Sequence, residues 1–262
     1  MARDARAIFI TGGASGIGLA TARLFASRGW RVGLADVNEA ALVEALADFP
    51  PGTASTYRMD VREPEQWRAA LADFCALSGG RLDVLFNNAG IAVGGPMHET
   101  SLDDLHRLID INFTGVVHGA VLAFPYLVKT PGSCLLNTAS AAAIYGTSGT
   151  AVYSATKFAV RGLTESLEGE WYRAGIKVRS LMPSFIETPL LDANVVGSNA
   201  NVRERVQRAG LELTPVERVA EAAWRAVHGK EVHTVVGKTA ERMQFAARWL
   251  PGKLRRQARG SL

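Results

Sequence analysis

Cysteine is scarce in this chain of 262 residues: only Cys75 and Cys134 occur. Their spacing builds neither a metal site nor a disulfide framework, so a reducing, cytoplasmic setting is expected and no metal is. Long apolar runs are missing as well. The longest, residues 115–128, contains His118 and Pro125 and falls short of the roughly 20 apolar residues that span a bilayer. It reads as a buried helix. A signal peptide is not expected, because an apolar strand pattern begins almost at once. Internal repeats and low-complexity linkers are absent too. Net charge is small, +4 at pH 7, and much of it gathers near the C-terminus. With 48% apolar residues the chain can bury one large core, which argues for a single domain.

What is present begins with a glycine turn. Ala7-Ile8-Phe9-Ile10 is a short apolar run, read as a buried parallel strand. Thr11-Gly12-Gly13-Ala14-Ser15-Gly16-Ile17-Gly18 follows directly, and Leu19, Ala22, Leu24 and Phe25 then keep helical spacing up to Gly29. The order strand, glycine turn, helix is what a dinucleotide loop requires. Gly12 permits the tight turn, Gly16 lets backbone approach a pyrophosphate, and Gly18 allows close helix–strand packing. The helix N-terminus offers free N–H groups to the phosphates. An ordinary glycine-rich turn is the bland alternative, since the glycines depart from the G-x-G-x-x-G order.

The second strand, residues 31–35, ends at Asp36. A carboxylate there accepts hydrogen bonds from ribose hydroxyls and repels a 2′-phosphate. No Arg or Lys follows until Arg58, which favours NAD over NADP. The same aspartate also suits a turn before a helix.

A third signal is Tyr153-Ser154-Ala155-Thr156-Lys157, preceded by Ser140. A tyrosine and a lysine four apart share one helix face. A phenol is a poor acid near neutrality, and a nearby ammonium favours its ionised form. A serine hydroxyl could share a substrate oxygen with it.

Further strands are expected at 54–59, 83–86, 133–138, 176–181 and 232–236, with helices between them and a long one over 151–174. Such alternation builds an α/β fold: a Rossmann-like, doubly wound parallel sheet of about seven strands with helices on both faces. Right-handed crossovers then set Gly12, Asp36, Asn87 and Ser140 along one crevice.

With these pieces the chain resembles the classical short-chain dehydrogenase/reductase family over about residues 5–240. Beyond the glycine loop, Asp60-Val61 is similar to the pair that contacts adenine, and Asn87-Asn88-Ala89-Gly90 to the motif after the fourth strand, with Asp83 before it. Asn112 matches the helix asparagine, and Ser140, Tyr153 and Lys157 the catalytic set. Pro183 and Thr188 match the segment that meets the nicotinamide. Ser184 stands where the family often has glycine, leaving the backbone less free. The resemblance implies cofactor contacts at Gly12, Ser15, Gly16, Ile17, Gly18, Asp36, Asp60, Val61, Asn88, Ala89, Gly90, Tyr153, Lys157, Pro183, Ile186 and Thr188. It implies hydride transfer at a carbinol carbon. Tyr153 would be general acid/base, Ser140 would hold the oxygen, Lys157 would lower the tyrosine pKa, and Asn112 would orient a water. Asn112 also reads as a helix-interior amide satisfied by backbone.

Substrate walls are expected at Ala142, Tyr145 and Phe185, beside Ser140 and Tyr153, with residues 91–98 and a lid at about 184–214. Their apolar members favour an apolar secondary alcohol or ketone. His98 reads as a solvated loop residue, and Arg203, Arg205 and Arg208 as the polar face of a lid helix. Residues 241–262 form a basic amphipathic extension to the 1–240 domain. Phe245, Trp249 and Leu250 lie on one face before Pro251-Gly252 breaks the helix. Three readings stay open for it: a solvated tail packed through Phe245 and Trp249, peripheral membrane contact, or a cap on a subunit or pocket. No nucleic-acid motif accompanies the basic residues, so nucleic acid is not an expected partner. The resemblance also implies a homotetramer or dimer. An NADPH-dependent carbonyl reductase and a non-catalytic nucleotide sensor are the alternatives.

Overall fold

The computed structural model describes residues 5–193, 195–197 and 200–259. Its strands are β1 (Ala7–Thr11), β2 (Arg31–Asp36), β3 (Ala54–Arg58), β4 (Val84–Asn87), β5 (Cys134–Thr138), β6 (Lys177–Pro183) and β7 (His233–Val236). All pair in parallel, in the order β3-β2-β1-β4-β5-β6-β7. The expected doubly wound sheet is therefore present. Its order reverses between β1 and β4, which opens a crevice at their C-terminal ends.

Helices cover both faces, so the strands read as apolar runs rather than alternating ones. Ile8 and Ile10 join one core cluster with Phe25, Leu34 and Phe86, while Phe9 joins Trp67, Leu71 and Phe74 on the opposite face. Cys134 belongs to the first cluster and Cys75 to the second. Burial pushes both thiols up to about 12, so neither is a ready nucleophile.

The helices are α1 (Gly16–Ser27), α2 (Glu39–Leu46), α3 (Pro64–Leu77), α4 (Leu102–Ile109), α5 (Gly115–Leu127), α6 (Ala151–Trp171), α7 (Val202–Arg208), α8 (Val216–His228), α9 (Lys238–Trp249) and α10 (Pro251–Arg259). The long helix expected over 151–174 ends at Trp171; a 3₁₀ turn completes it and Gly175, at φ 71°, stops it.

Two expectations need correction. The apolar stretch at 115–128 does form a helix with a buried face, but it is not a separate one. A π turn at Asp110–Thr114 welds α4 to α5, making a rod over Leu102–Leu127 that is long and apolar enough by length and composition to cross a membrane. Its inner face, through Leu108, Val116, Ala120 and Ala123, is spent on the core, whereas Val121 is 62% exposed. The second correction concerns the C-terminal extension. Phe245 and Trp249 do not pack it down, being 60% and 62% exposed. Pro251 both ends the helical run and starts α10, because its fixed φ suits a first helical turn.

Candidate active site

Geometry starts at the loop between β1 and α1. Gly12 and Gly16 take positive φ values of 62° and 51°. A side chain on Gly18 would meet Gly12 O at 2.1 Å, so only glycine lets α1 start this close to the turn. Ser15 precedes the helix in extended conformation and makes no side-chain cap. The first-turn amides of Gly16, Ile17 and Gly18 are thus left to an anionic ligand.

Two neighbours hold this loop. Asp36 Oδ2 accepts from Ala14 N at 3.2 Å, and its Oδ1 from Asn38 N at 3.1 Å. The Asn38 bond realises the turn reading of Asp36, and the Ala14 bond ties the end of β2 to the glycine loop. Asn88 Nδ2 donates to Thr11 O and Gly12 O, at 3.0 and 3.2 Å. Thr11 Oγ1 accepts from the backbone of Asn88 and Ala89, both at 3.0 Å. Asn88 and Ala89 therefore brace the glycine loop from below.

Asp60 and Val61 lie at the end of β3. Arg62 pairs with Asp60 at 2.6 Å and its hydrogen bonds hold that carboxyl below its usual value. Val61 is buried, and its carbonyl accepts from Trp67 Nε1 and His118 Nδ1. On the other side, the segment after Pro183 crosses above the loop: a side chain on Gly16 would touch Thr188 Cγ2 at 3.1 Å. Ile186 is buried and bridges to Thr214. Ser184 fits here without left-handed backbone; Gly237 lies against it, and a Cβ there would meet Ser184 Oγ at 2.3 Å.

The reactive side chains meet where β5 ends and α6 passes. Lys157, Val160 and Thr164 form the buried stripe of α6. Asn137, fully buried on β5, donates to Thr164 Oγ1 at 3.0 Å and accepts from Asn87 Nδ2 at 3.1 Å. That polar chain sets the height of α6 against the sheet. Tyr153 is then half-buried and hydrogen-bonded to Ser140. Ser140 Oγ also accepts from Ala142 N at 3.1 Å, fixing the turn that follows. Lys157 Nζ donates to Thr138 O at 2.9 Å and lies 5.7 Å from the centre of the Tyr153 ring.

Electrostatically the pair departs from expectation. Burial drives the Tyr153 phenol up, outweighing the Ser140 hydrogen bond that opposes it. The ammonium is committed to Thr138 O, and burial lowers Lys157 to about 8. Near neutrality the site therefore holds a neutral phenol beside a cation.

Asn112 occupies the π turn with no exposure. Its Oδ1 accepts from Ile91 N at 2.8 Å and its Nδ2 donates to Ile91 O at 2.9 Å. The amide fixes the chain just after Gly90, where a Cβ would come within 3.6 Å of Lys157 Nζ. Gly12, Ala89, Gly90, Lys157, Tyr153 and Ser140 thus form one contiguous track.

Around the track, Ala142 is buried while Tyr145 and Phe185 are half-buried. The lid is tied to the 91–98 loop by a bridge between Gly94 and Val195 and by Val196 N donating to Gly94 O at 2.8 Å. Arg203 leaves the polar face of α7 to hold Asp192 at 2.7 Å and Thr188 O at 3.1 Å. His98 is solvated, beside Glu99. Two residues escaped the sequence reading. Arg58 pairs in register with Asp36, since β3 lies beside β2. Arg161, one turn beyond Lys157, donates to Ala143 O at 3.2 Å; its i,i+4 spacing from Lys157 was the signal available.

Against known proteins, the family profile described as short chain dehydrogenase matches residues 6–197. Meso-2,3-butanediol dehydrogenase of Serratia marcescens is 33% identical over 243 residues, 90% of this chain and 96% of that one. A 2,5-dichloro-2,5-cyclohexadiene-1,4-diol dehydrogenase of Sphingobium indicum is 35% identical over 188 residues, covering 71% and 74%. Among solved structures, a short-chain dehydrogenase/reductase of Burkholderia phymatum in complex with NAD superimposes with a TM-score of 0.84 at 27% identity, covering 98% of this chain and 96% of that one.

Proposed function

This chain belongs to the short-chain dehydrogenase family, and from that membership we propose that it interconverts an apolar secondary alcohol and its ketone with NAD as hydride carrier. The observation that carries the reading is the convergence of Ser140, Tyr153 and Lys157 on one point of the track that begins at the glycine loop.

The residues present fit a dinucleotide. Gly18 lets α1 start against the glycine turn, the first amides of α1 lack a side-chain cap, and Asp36 ends β2 beside the loop, bonded to Ala14 N. Gly12, Ser15, Gly16, Ile17 and Gly18 would hold the pyrophosphate. Asp36 would hold the adenosine ribose, and Thr188 and Ile186 would flank the nicotinamide. When bound, the nicotinamide accepts or returns the hydride.

Proton handling falls to the chain. In reduction the neutral Tyr153 phenol donates its proton to the substrate oxygen; in oxidation the phenolate takes it back. Ser140 orients that oxygen through the hydrogen bond it shares with Tyr153. Lys157, held by Thr138 O, places positive charge beside the ring and stabilises the phenolate as it forms. Half-buried Tyr145 and Phe185 and buried Ala142 make the adjoining wall apolar, which supports an apolar substrate over a sugar. A homo-oligomer of two or four chains suits the apolar residues left outward on α4, α5 and α6: Leu102, Val121 and Phe158.

A second reading rests on Arg58. Exposed beside Asp36 and 3.9 Å from Glu39, it would supply a cation to a 2′-phosphate, so use of NADP is the competing outcome.

A paired assay of NADH and NADPH production separates these. Purified protein is offered NAD⁺ or NADP⁺ with secondary alcohols running from short aliphatic through aryl to polycyclic. Expected is NADH production from the apolar members, with Tyr153→Phe slower by about 10²–10⁴-fold and its coenzyme affinity unchanged. Activity indifferent to Tyr153→Phe would end the reading.

A further inference from the structure

We propose that α9 and α10 seat this protein on an anionic lipid surface. The inference stands on the arm's own residues and does not depend on which alcohol is the substrate.

Aromatic exposure comes first. Of the five tryptophans, Trp30 and Trp67 are buried, Trp171 and Trp224 are half-buried, and Trp249 alone is exposed. Phe245 precedes it by one helical turn and is also exposed, and Leu250 follows at the junction of the two helices. Side chains four apart share a face, so Phe245 and Trp249 form one outward ridge.

Cations frame that ridge. Arg242 and Arg248 stand within one turn of Phe245, and the Arg248 guanidinium lies 5.1 Å from the Trp249 ring. Lys253, Arg255, Arg256 and Arg259 continue the charge along α10, all exposed, while Leu254 and Ala258 are half-buried. From residue 238 to the end, Glu241 is the only acidic residue. Among the described residues, none of these six cationic side chains is in an ion pair.

The arm is also anchored. Ala240 is fully buried, Lys238 N donates to Glu212 Oε2 at 3.1 Å, and α9 packs on β7 and on the Ala141–Ala143 turn. α9 is thus held against the turn that follows Ser140.

Charge selects the occupant. A second copy meeting this surface across a two-fold axis would oppose one cationic cluster to the other. A nucleic acid would satisfy the cations but offers Leu250 no apolar partner. An anionic bilayer satisfies both: phosphate headgroups for the arginines, and the interfacial zone in which tryptophan is favoured.

The test is co-sedimentation of the full chain with vesicles of phosphatidylcholine alone or mixed with phosphatidylglycerol. Wild type is expected to partition at least tenfold more onto the mixed vesicles, and to be released as salt rises. Phe245→Ser with Trp249→Ser, and separately Arg242→Glu with Arg248→Glu, are each expected to lose that partitioning while keeping wild-type circular dichroism. Brominated lipid should quench tryptophan emission in wild type and not in Trp249→Phe. Equal partitioning of wild type and both variants, or of both vesicle types, would overturn the proposal. So would a fall in solution mass in the serine variant, which would assign the ridge to a second copy, or salt-sensitive retention on DNA without vesicle binding.

Discussion

Arg161 Nη1 reaches Ala143 O at 3.2 Å, binding the helix that carries Tyr153 and Lys157 to the turn that follows Ser140. Arg161 is itself held by Glu165 at 2.8 Å. Glu165 accepts from His233 Nε2 at 2.9 Å, and His233 Nδ1 meets Ser180 Oγ at 2.8 Å. One polar chain thus runs from the edge of the sheet to the turn that follows Ser140.

Arg161 is accordingly a positioning residue for Ser140. Arg161→Ala should lower kcat about tenfold, the equivalent of one lost hydrogen bond, with KM for coenzyme unchanged. Arg161→Lys should restore part of the rate. Steady-state kinetics in both substrates check this; equal losses in kcat and in coenzyme affinity would assign the residue a merely structural role.

His233 makes the same chain sensitive to acid. Burial lowers its pKa below the usual 6.5, with the Glu165 hydrogen bond opposing. The folded protein therefore favours the neutral ring, which donates to Glu165 and accepts from Ser180. Below pH 6.5 the unfolded chain binds the proton more readily, so this contribution to stability is present above 6.5 and is lost as pH falls through the folded value. Thermal melts from pH 7.5 to about 5 should show Tm falling in wild type and falling less in His233→Gln.

Lys157 is buried at a cost. Its folded value near 8 lies below the usual 10.5, so between these limits the unfolded chain holds more protons and stability rises with pH. Lys157→Met should then abolish turnover yet raise Tm at pH 7. That advantage should shrink as pH climbs from about 8 to 10.5, which melts in alkaline buffers would reveal.

Asp36 and Arg58 should decide coenzyme choice between them. Asp36→Ala should cost about tenfold in kcat/KM with NAD⁺, the worth of one ribose hydrogen bond, and should raise kcat/KM with NADP⁺. Adding Arg58→Ala should cancel the NADP⁺ gain. Unchanged NAD⁺ kinetics in Asp36→Ala would leave the carboxylate as a turn residue only.

The central strands were legible because a parallel strand covered on both faces is largely apolar. Ala7-Ile8-Phe9-Ile10 carries that mark without any partner in view. The site residues were legible for a related reason: each sits at a strand end or on a helix face whose period is local. Thr11 to Gly18 needs no distant contact to define a turn, and Tyr153 and Lys157 need only 3.6 residues per turn. Less legible were features that join distant segments. Arg58 looked remote from Asp36, yet strand pairing sets them side by side. Asn112 read as a water-orienting group or a satisfied amide, and its two bonds to Ile91 are visible only once the π turn meets the 91–98 loop.

By itself, then, the sequence determined the order of strands and helices, the glycine turn, and the identities of Ser140, Tyr153 and Lys157, because periodicity and turn chemistry act over a few residues. Tertiary structure alone decided the state of those groups. Burial raised Tyr153 and lowered Lys157 against the expectation from their pairing, because desolvation depends on every atom packed around a charge and outweighs a neighbour four residues away.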